Sequence, residues 1–252
     1  MHFTKMQGLG NDYLYFFGPA PENAPALSRR LSDRHFGPGA DGLIFIGPSE
    51  QADFRMRIFN ADGSEAEMCG NGIRCVGKYV YDRGLTGKTE LIVETGAGLR
   101  HLFLHPEHGR VVSATVEMGR ASVTPEEDGD LVDVGNPHLV RFVPDAEQAP
   151  LSTLGAELSA SVPGGINVEF VQVLGPNRLR MRVWERGSGI TLACGTGACA
   201  SVAAAVKRGL CQAEQPITVQ LDGGELRITA GADGTLRMEG PAETVYEGDI
   251  EL

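Results

Sequence analysis

The sequence has no long apolar run. Its longest candidate is the short alanine-rich stretch around Ala203, well below the roughly 18 residues that a membrane-spanning helix needs. Positive charge is scarce as well: 22 Lys and Arg stand against 33 Asp and Glu, for a formal net charge of -11. No cluster of basic residues offsets that balance, which argues against a duplex-binding protein, because phosphate contacts need grouped Lys and Arg. Met1 to Leu14 has no basic segment leading into an apolar stretch and a small-residue cleavage site, so nothing directs the chain to secretion. Cysteines are few and odd in number, five in 252 residues, in a chain too large to need disulfide staples. The expectation is a soluble, cytoplasmic protein with reduced thiols and a small-molecule partner, without nucleic acid or membrane.

What the chain does have is glycine, 34 residues of it, and length enough for one large domain or two ordinary ones. Two cysteines stand in matching contexts: Cys69-Gly70-Asn71-Gly72 and Cys194-Gly195-Thr196-Gly197. Cys194 follows Cys69 by 125 residues, and sliding the chain by that offset extends the match. Gly10-Asn11 meets Gly135-Asn136, Pro38-Gly39 meets Pro163-Gly164, Met56-Arg57 meets Met181-Arg182, and Arg83-Gly84-Leu85 meets Arg208-Gly209-Leu210. From Gly10 to Leu85 there are 20 identities in 76 ungapped positions, against roughly five expected by chance. Glycine and proline match easily, yet the same register aligns both cysteine motifs and the same order of structural signals. The halves read as a duplication.

Each half reads alike. A β-type segment (Tyr13 to Phe17; Leu139 to Val143) precedes a helical one (Ala24 to Arg34; Ala149 to Leu158), then a Pro/Gly turn and two strands. Those strands are Leu43 to Ile46 and Phe54 to Phe59, then Val168 to Val173 and Leu179 to Trp184. Helices over Ile73 to Asp82 and Ala198 to Lys207 stop at Gly84 and Gly209. Three alternating strands finish each half: Leu91 to Glu94, Leu99 to Leu104 and Val111 to Met118, then Ile217 to Leu221, Glu225 to Thr229 and Thr235 to Glu239. The polar stretch Ser122 to Asp130 reads as the linker, and Thr244 to Ile250 as a last strand returning to the first half. Strands outnumber helices, so the class is α+β: two similar domains, residues 1–120 joined by 242–252, and residues 121–241.

A cysteine just before glycines at a helix start meets outward-pointing N–H groups and a dipole that favours negative charge. That setting is expected to lower its pKa, and the missing side chains admit a ligand to the backbone. One copy is equally a buried structural cysteine at a tight turn. Two copies, brought face to face, would supply what inversion at carbon requires: a thiolate to remove a proton from one face and a thiol to deliver one to the other. Helix-start N–H groups would hold the charge that develops on the substrate. Asn11, Asn60, Asn71, Asn136 and Asn167 stand in or beside turns, where they either bind a polar substrate or make local Asx turns.

Taken together, Lys5 to Asp12, Phe59 to Ser64, Cys69 to Cys75, Gly135-Asn136-Pro137-His138, Asn167 to Phe170, and Glu185-Arg186-Gly187 through Gly197 resemble the diaminopimelate epimerase family over nearly the whole chain. The resemblance implies an α+β fold of two pseudo-symmetric domains, each a mostly antiparallel sheet wrapped around a central helix, with the active site in the cleft between them. It implies a homodimeric isomerase, independent of pyridoxal phosphate and of any other cofactor or metal, that interconverts LL- and meso-diaminopimelate for lysine and peptidoglycan precursors. Cys69 and Cys194 would be the two acid/bases, with His138 and Glu185 assisting the thiols. Asn11, Asn60, Asn136 and Asn167 would hold polar groups of the substrate, Gly70-Asn71 and Gly195-Thr196 its reacting carboxylate, and Glu185 and Arg186 its charged ends. Gly42 departs from members that carry Gln there.

Other readings stay in view. A proline-racemase-like enzyme also uses two cysteines, but such relatives tend to carry His after the first Cys-Gly, where this chain has Asn71; isomerases of phenazine biosynthesis lack the cysteine pair. Redox or zinc roles want a two-residue Cys spacing that Cys69/Cys75 and Cys194/Cys199 do not have. His101, His105 and His108 read as a solvated turn rather than a metal site, and Cys75, Cys199 and Cys211 as core residues. The loose Gly-x-Gly-x-x-Ala after Cys194 lacks the βαβ series of a dinucleotide fold.

Overall fold

The computed structural model describes residues 1–251. Backbone contacts divide the chain into two compact units, Met1–Val116 with the C-terminal segment from Gly240, and Glu117–Glu239.

In the first unit β1 (His2–Gly8) turns through Leu9 and Gly10, both at positive φ, into antiparallel β2 (Asn11–Phe17). Helix α1 (Ala24–Ser32) leads to β3 (Gly42–Gly47), which lies parallel to β2, and β4 (Phe54–Asn60) returns antiparallel to β3. All six residues of β3 are buried, so the strand is covered on both faces. Because side chains alternate, Leu43 and Phe45 pack with Leu27 and Leu31 of α1 on one face. Ile44 turns to the other, toward α2 (Gly70–Asp82), which follows the two-residue β5 (Glu65–Ala66). Strands β6 (Glu90–Thr95), β7 (Gly98–Glu107) and β8 (Arg110–Arg120) complete an antiparallel run. Helix α2 is buried from Gly70 to Val80, on every side, as the central helix of its unit.

The second unit repeats this plan. It contains β9 (Ser122–Pro125), β10 (Asp130–Asp133), β11 (Pro137–Phe142), a π-helical turn (Leu151–Gly155) running into α3 (Ala156–Ser161), then β12 (Asn167–Gly175) and β13 (Arg178–Glu185). Short β14 (Gly189–Ile190) precedes the buried, alanine-rich α4 (Gly195–Lys207), and β15 (Pro216–Leu221), β16 (Gly224–Ala230) and β17 (Thr235–Pro241) follow. The 125-residue offset holds down to strand register: Tyr13 pairs with Gly42 as His138 pairs with Asn167, and Leu43 opposes Phe59 as Val168 opposes Trp184. The last strand, β18 (Glu243–Asp249), lies antiparallel to β1. These are two sheet-dominated units, each around one central helix.

Several sequence expectations need correction. Ser122 to Asp130 is not a free linker: Ser122–Pro125 is β9, paired antiparallel with β10 inside the second unit. The second-half helix expected from Ala149 begins instead as the π turn at Leu151, with Pro150 as its N-cap. His101 and His105 lie in β7 rather than in a turn, with the irregularity at Pro106 absorbed by a bulge, and only His108 sits at the hairpin tip with positive φ. Among the described residues, no group of three or more His, Cys, Asp or Glu is placed to hold a metal ion, and no helix is long and apolar enough to cross a membrane.

Gly42 owes its identity to packing. A Cβ there would lie 2.2 Å from the Phe59 carbonyl oxygen of the neighbouring strand and 3.0 Å from the Tyr13 ring. Gly42→Ala is therefore expected to destabilise the fold by about 1–3 kcal/mol, whereas Gly87→Ala, with nothing within 4 Å, should stay within about 0.5 kcal/mol. Denaturant midpoints of the two variants check this.

Candidate active site

Both motif cysteines are N-cap residues. Cys69 and Cys194 have extended backbones, and each sulfur accepts the N–H three residues on, from Gly72 and Gly197, at 3.3 Å in both cases. The side-chain acceptor that Ser, Thr or Asp ordinarily provides at this position is here a thiol. The helices begin at Gly70 and Gly195, three residues before the starts expected from helix propensity, because the cap and not the glycine-poor stretch sets the boundary. Glycine is required inside the first turn: a Cβ on Gly72 would meet Ile44 at 2.7 Å, and one on Gly197 would meet the Glu169 carboxylate at 2.6 Å.

Around Cys69, the thiol donates to Asn11 Oδ1 at 3.3 Å, and the nearby Tyr13 hydroxyl favours its ionised form. The Asn11 amide is oriented from behind. Its Nδ2 donates to Asp41 Oδ2 at 2.8 Å, which leaves Oδ1 to face the thiol. Asp41 accepts from Arg34 at 2.9 Å, and Arg34 with Lys5 also holds the buried Asp12, whose carboxyl these partners draw below its ordinary range although burial opposes them. Asn71 is buried one residue into the helix, and Arg74, fully buried, donates to Gly70 O and Pro241 O. Asn60 closes the end of β4, its Nδ2 donating to Ser64 Oγ at 3.0 Å. Asn60 is therefore also part of a local turn.

Around Cys194 the partners are charged. Glu185 lies near enough to the thiol that each shifts the other, and its carboxylate accepts from Thr191. Thr196 Oγ1 lies 3.5 Å from the sulfur and accepts from Asn136 Nδ2 at 3.5 Å. His138, fully buried, sits between Asn136 Oδ1, 3.2 Å from Nε2, and Glu169 Oε1, 2.7 Å from Nδ1. Asn167 serves the backbone on two sides: Nδ2 donates to Pro137 O, and Oδ1 accepts the Arg186 N–H at 2.9 Å. The exposed Arg186 guanidinium donates to Gly164 O.

The second unit thus gathers Asn136, His138, Glu185, Thr196 and Cys194, with Asn167 fixing the chain at Arg186; the first gathers Asn11, Gly70, Asn71 and Cys69. Three residues to which the sequence assigned no role belong to these clusters: Tyr13, Asp41 and Glu169. Tyr13 was within reach, since the offset sets it opposite His138. Glu169 is a lone charge within the apolar stretch Val168 to Val171. Asp41 carries no such signal, because Ile166 stands at its counterpart position.

The helix-start argument for lowered thiol pKa values is overturned. Burial pushes Cys69 up despite the opposing N–H groups of Gly72 and Asn71, the Tyr13 hydroxyl and the Arg74 charge. Burial pushes Cys194 up further, and the negative charges of Glu185 and Glu169 add to it. Glu185 is itself raised by burial. Cys75, in the core beside Tyr15, is pushed up to about 11 by burial. All five cysteines are free thiols. The two caps are therefore thiols in unlike surroundings: one among Asn, Tyr and Arg, the other among carboxylates.

The profile of the family described as diaminopimelate epimerase matches residues 3–124 and 131–245. A diaminopimelate epimerase of Acetivibrio thermocellus is 46% identical over 279 residues, covering 100% of this chain and 99% of its own. One of Bacteroides thetaiotaomicron is 50% identical over 262 residues, covering 99% and 97%. Among solved structures, a phenazine biosynthesis protein of the PhzF family from Bacillus anthracis superposes with a TM-score of 0.80 at 15% identity, covering 100% of this chain and 99% of that one. A probable proline racemase from Agrobacterium radiobacter gives a TM-score of 0.76 at 17% identity, covering 100% and 93%. These two structures share the fold.

The thiol environments lead to a measurable order. With both pKa values raised, the thiolate fractions stay small until the pH passes the raised values, so iodoacetamide alkylation of either cap should still be accelerating above pH 9. Cys69 should react faster than Cys194, whose thiol the neighbouring carboxylates hold further up. Site-resolved mass spectrometry against pH reads both, and a plateau below pH 8 or the reverse order would contradict the assignment.

Proposed function

The chain belongs to the diaminopimelate epimerase family, and from that premise we propose that it interconverts LL- and meso-2,6-diaminopimelate by a two-base transfer of the Cα proton between Cys69 and Cys194. Family membership makes it an isomerase. The observation that carries the substrate is the full-length identity of 46% and 50% to proteins bearing that name. The proline-racemase-like alternative has only fold similarity at 17% identity behind it.

Inversion needs one sulfur on each face of the reacting carbon. In one direction a thiolate takes the Cα proton while the opposite thiol gives its own to the other face; in the reverse direction the roles exchange. Each positioned acid or base contributes about 10²–10⁴ in rate. The charge that develops on the substrate carboxylate would be met by the N–H groups and dipoles of the two helix starts, a form of stabilisation worth about 3–4 kcal/mol per well-placed donor. Asn11, Asn60, Asn136, Asn167 and Arg186 would hold the remaining amines and carboxylates, and Glu185, beside the Cys194 thiol, would assist proton transfer there. Resting protein with raised thiol pKa values fits a pair that ionises only once substrate ammonium groups arrive. The setting that accompanies this reading is a cytoplasmic homodimer supplying lysine and peptidoglycan precursors.

Cys69→Ser and Cys194→Ser test the reading. Serine preserves an N-cap acceptor, so stability should change by no more than about 1 kcal/mol. Without the thiol, kcat should fall at least about 10³-fold in both directions. Full activity in either variant, assayed with both epimers, would sink the two-cysteine mechanism.

A further inference from the structure

The second unit buries a carboxylate where the first has a hydrocarbon. Glu169 occupies the position in β12 that Ile44 occupies in β3, 125 residues earlier, and both side chains are fully buried. Both lie against the same point of the fold: a Cβ on Gly72 would strike Ile44, and a Cβ on Gly197 would strike Glu169. The fold therefore accommodates an apolar side chain beneath this helix start. An ionisable group buried there is costly unless it is paired. Only part of Glu169 is paired, since Oε1 meets His138 and Oε2 has no hydrogen-bond partner among the described residues. Packing alone does not account for it.

The bonds around it run in one line. Both ring nitrogens of His138 face oxygens, Nδ1 lying 2.7 Å from Glu169 Oε1 and Nε2 3.2 Å from Asn136 Oδ1, so either nitrogen donates along this line when it carries a proton. The two contacts together fix the plane of the ring. Asn136 Nδ2 donates to Thr196 Oγ1, which is 3.5 Å from the Cys194 sulfur. In the first unit the position of His138 is taken by Tyr13, which itself acts on Cys69, and the position of Glu169 by the hydrocarbon Ile44. We propose that Glu169 is a positioning residue for Cys194, holding the His138 ring and, through Asn136 and Thr196, the thiol in the orientation from which it exchanges its proton. This rests on the two-cysteine reading of the site.

Glu169→Gln tests it, since glutamine keeps the volume and removes the charge. The expected result is a fall in kcat of about 10²-fold in both directions with KM for diaminopimelate within about twofold. In a His138→Gln background the same substitution should cost less than about twofold more, because residues acting as one unit are not additive. Alkylation by iodoacetamide should speed up at Cys194, relieved of a neighbouring negative charge, and stay unchanged at Cys69. Unchanged kcat, a loss confined to KM, additive losses with His138→Gln, or equal changes at both cysteines would each overturn the proposal. Should Glu169→Gln fail to fold, the double variant His138→Tyr with Glu169→Ile copies the first unit's pair. It should fold and show the same loss of kcat, and full activity in it would equally overturn the role. Wild-type protein inert toward both epimers would instead overturn the function and the kinetic role with it; the alkylation contrast separates that failure from one confined to Glu169.

Discussion

Each half of this chain is organised by one hydrogen bond, from a backbone N–H in the first turn of a buried helix to a cysteine sulfur. The bond fixes where the helix begins, and the packing of Ile44 and Glu169 leaves room in that turn only for glycine at Gly72 and Gly197. Around it the strands β2 to β4 and β11 to β13 must hold their registers, because those registers bring Asn11 and Tyr13, or Asn136 and His138, to the capping sulfur. Structure and chemistry thus share an atom. A sulfur that caps a helix already has a backbone donor in place, which partly offsets the burial that opposes its ionisation.

The two caps differ in what surrounds them. Burial alone would make both thiols reluctant to ionise, and the neighbours then pull in opposite directions. Arg74 and Tyr13 favour the Cys69 thiolate, while Glu185 and Glu169 disfavour that of Cys194. In the proposed two-base reaction the pair shares one proton, and unlike surroundings are how two chemically identical side chains would come to hold it unequally. The duplication supplies the frame, and substitutions at matched positions, Tyr for His and Ile for Glu, supply the difference.

Much of the frame was legible because its signals are periodic or local. The offset between Cys69 and Cys194 predicts a repeat, and the repeat extends to strand pairing. Alternation located β6 to β8 and β15 to β17 within one to three residues. The helix starts were misplaced because helix propensity misses a cysteine cap. Ser122 to Asp130 read as a linker since polar residues on a short strand look like a loop until β10 pairs with it. At the sites, Cys69, Cys194, Asn11 and Asn136 followed from motif and offset. Asp41 and Glu169 did not, because each acts through another side chain, and such contacts leave no spacing to read. The expected lowering of the thiol pKa values failed for a related reason: a helix dipole can be read from sequence, but the burial that outweighs it cannot.

The measurement that bears most directly on the proposed two-base reaction is the fate of solvent deuterium at Cα during the first turnovers of wild-type protein with LL-diaminopimelate. Two bases predict that deuterium appears in the newly formed meso epimer while the remaining LL substrate stays unlabelled, because the incoming proton is drawn from a different sulfur than the one that received the outgoing proton. Deuterium accumulating in unconverted LL substrate as fast as in product would mean that one base serves both faces, and the account would fail.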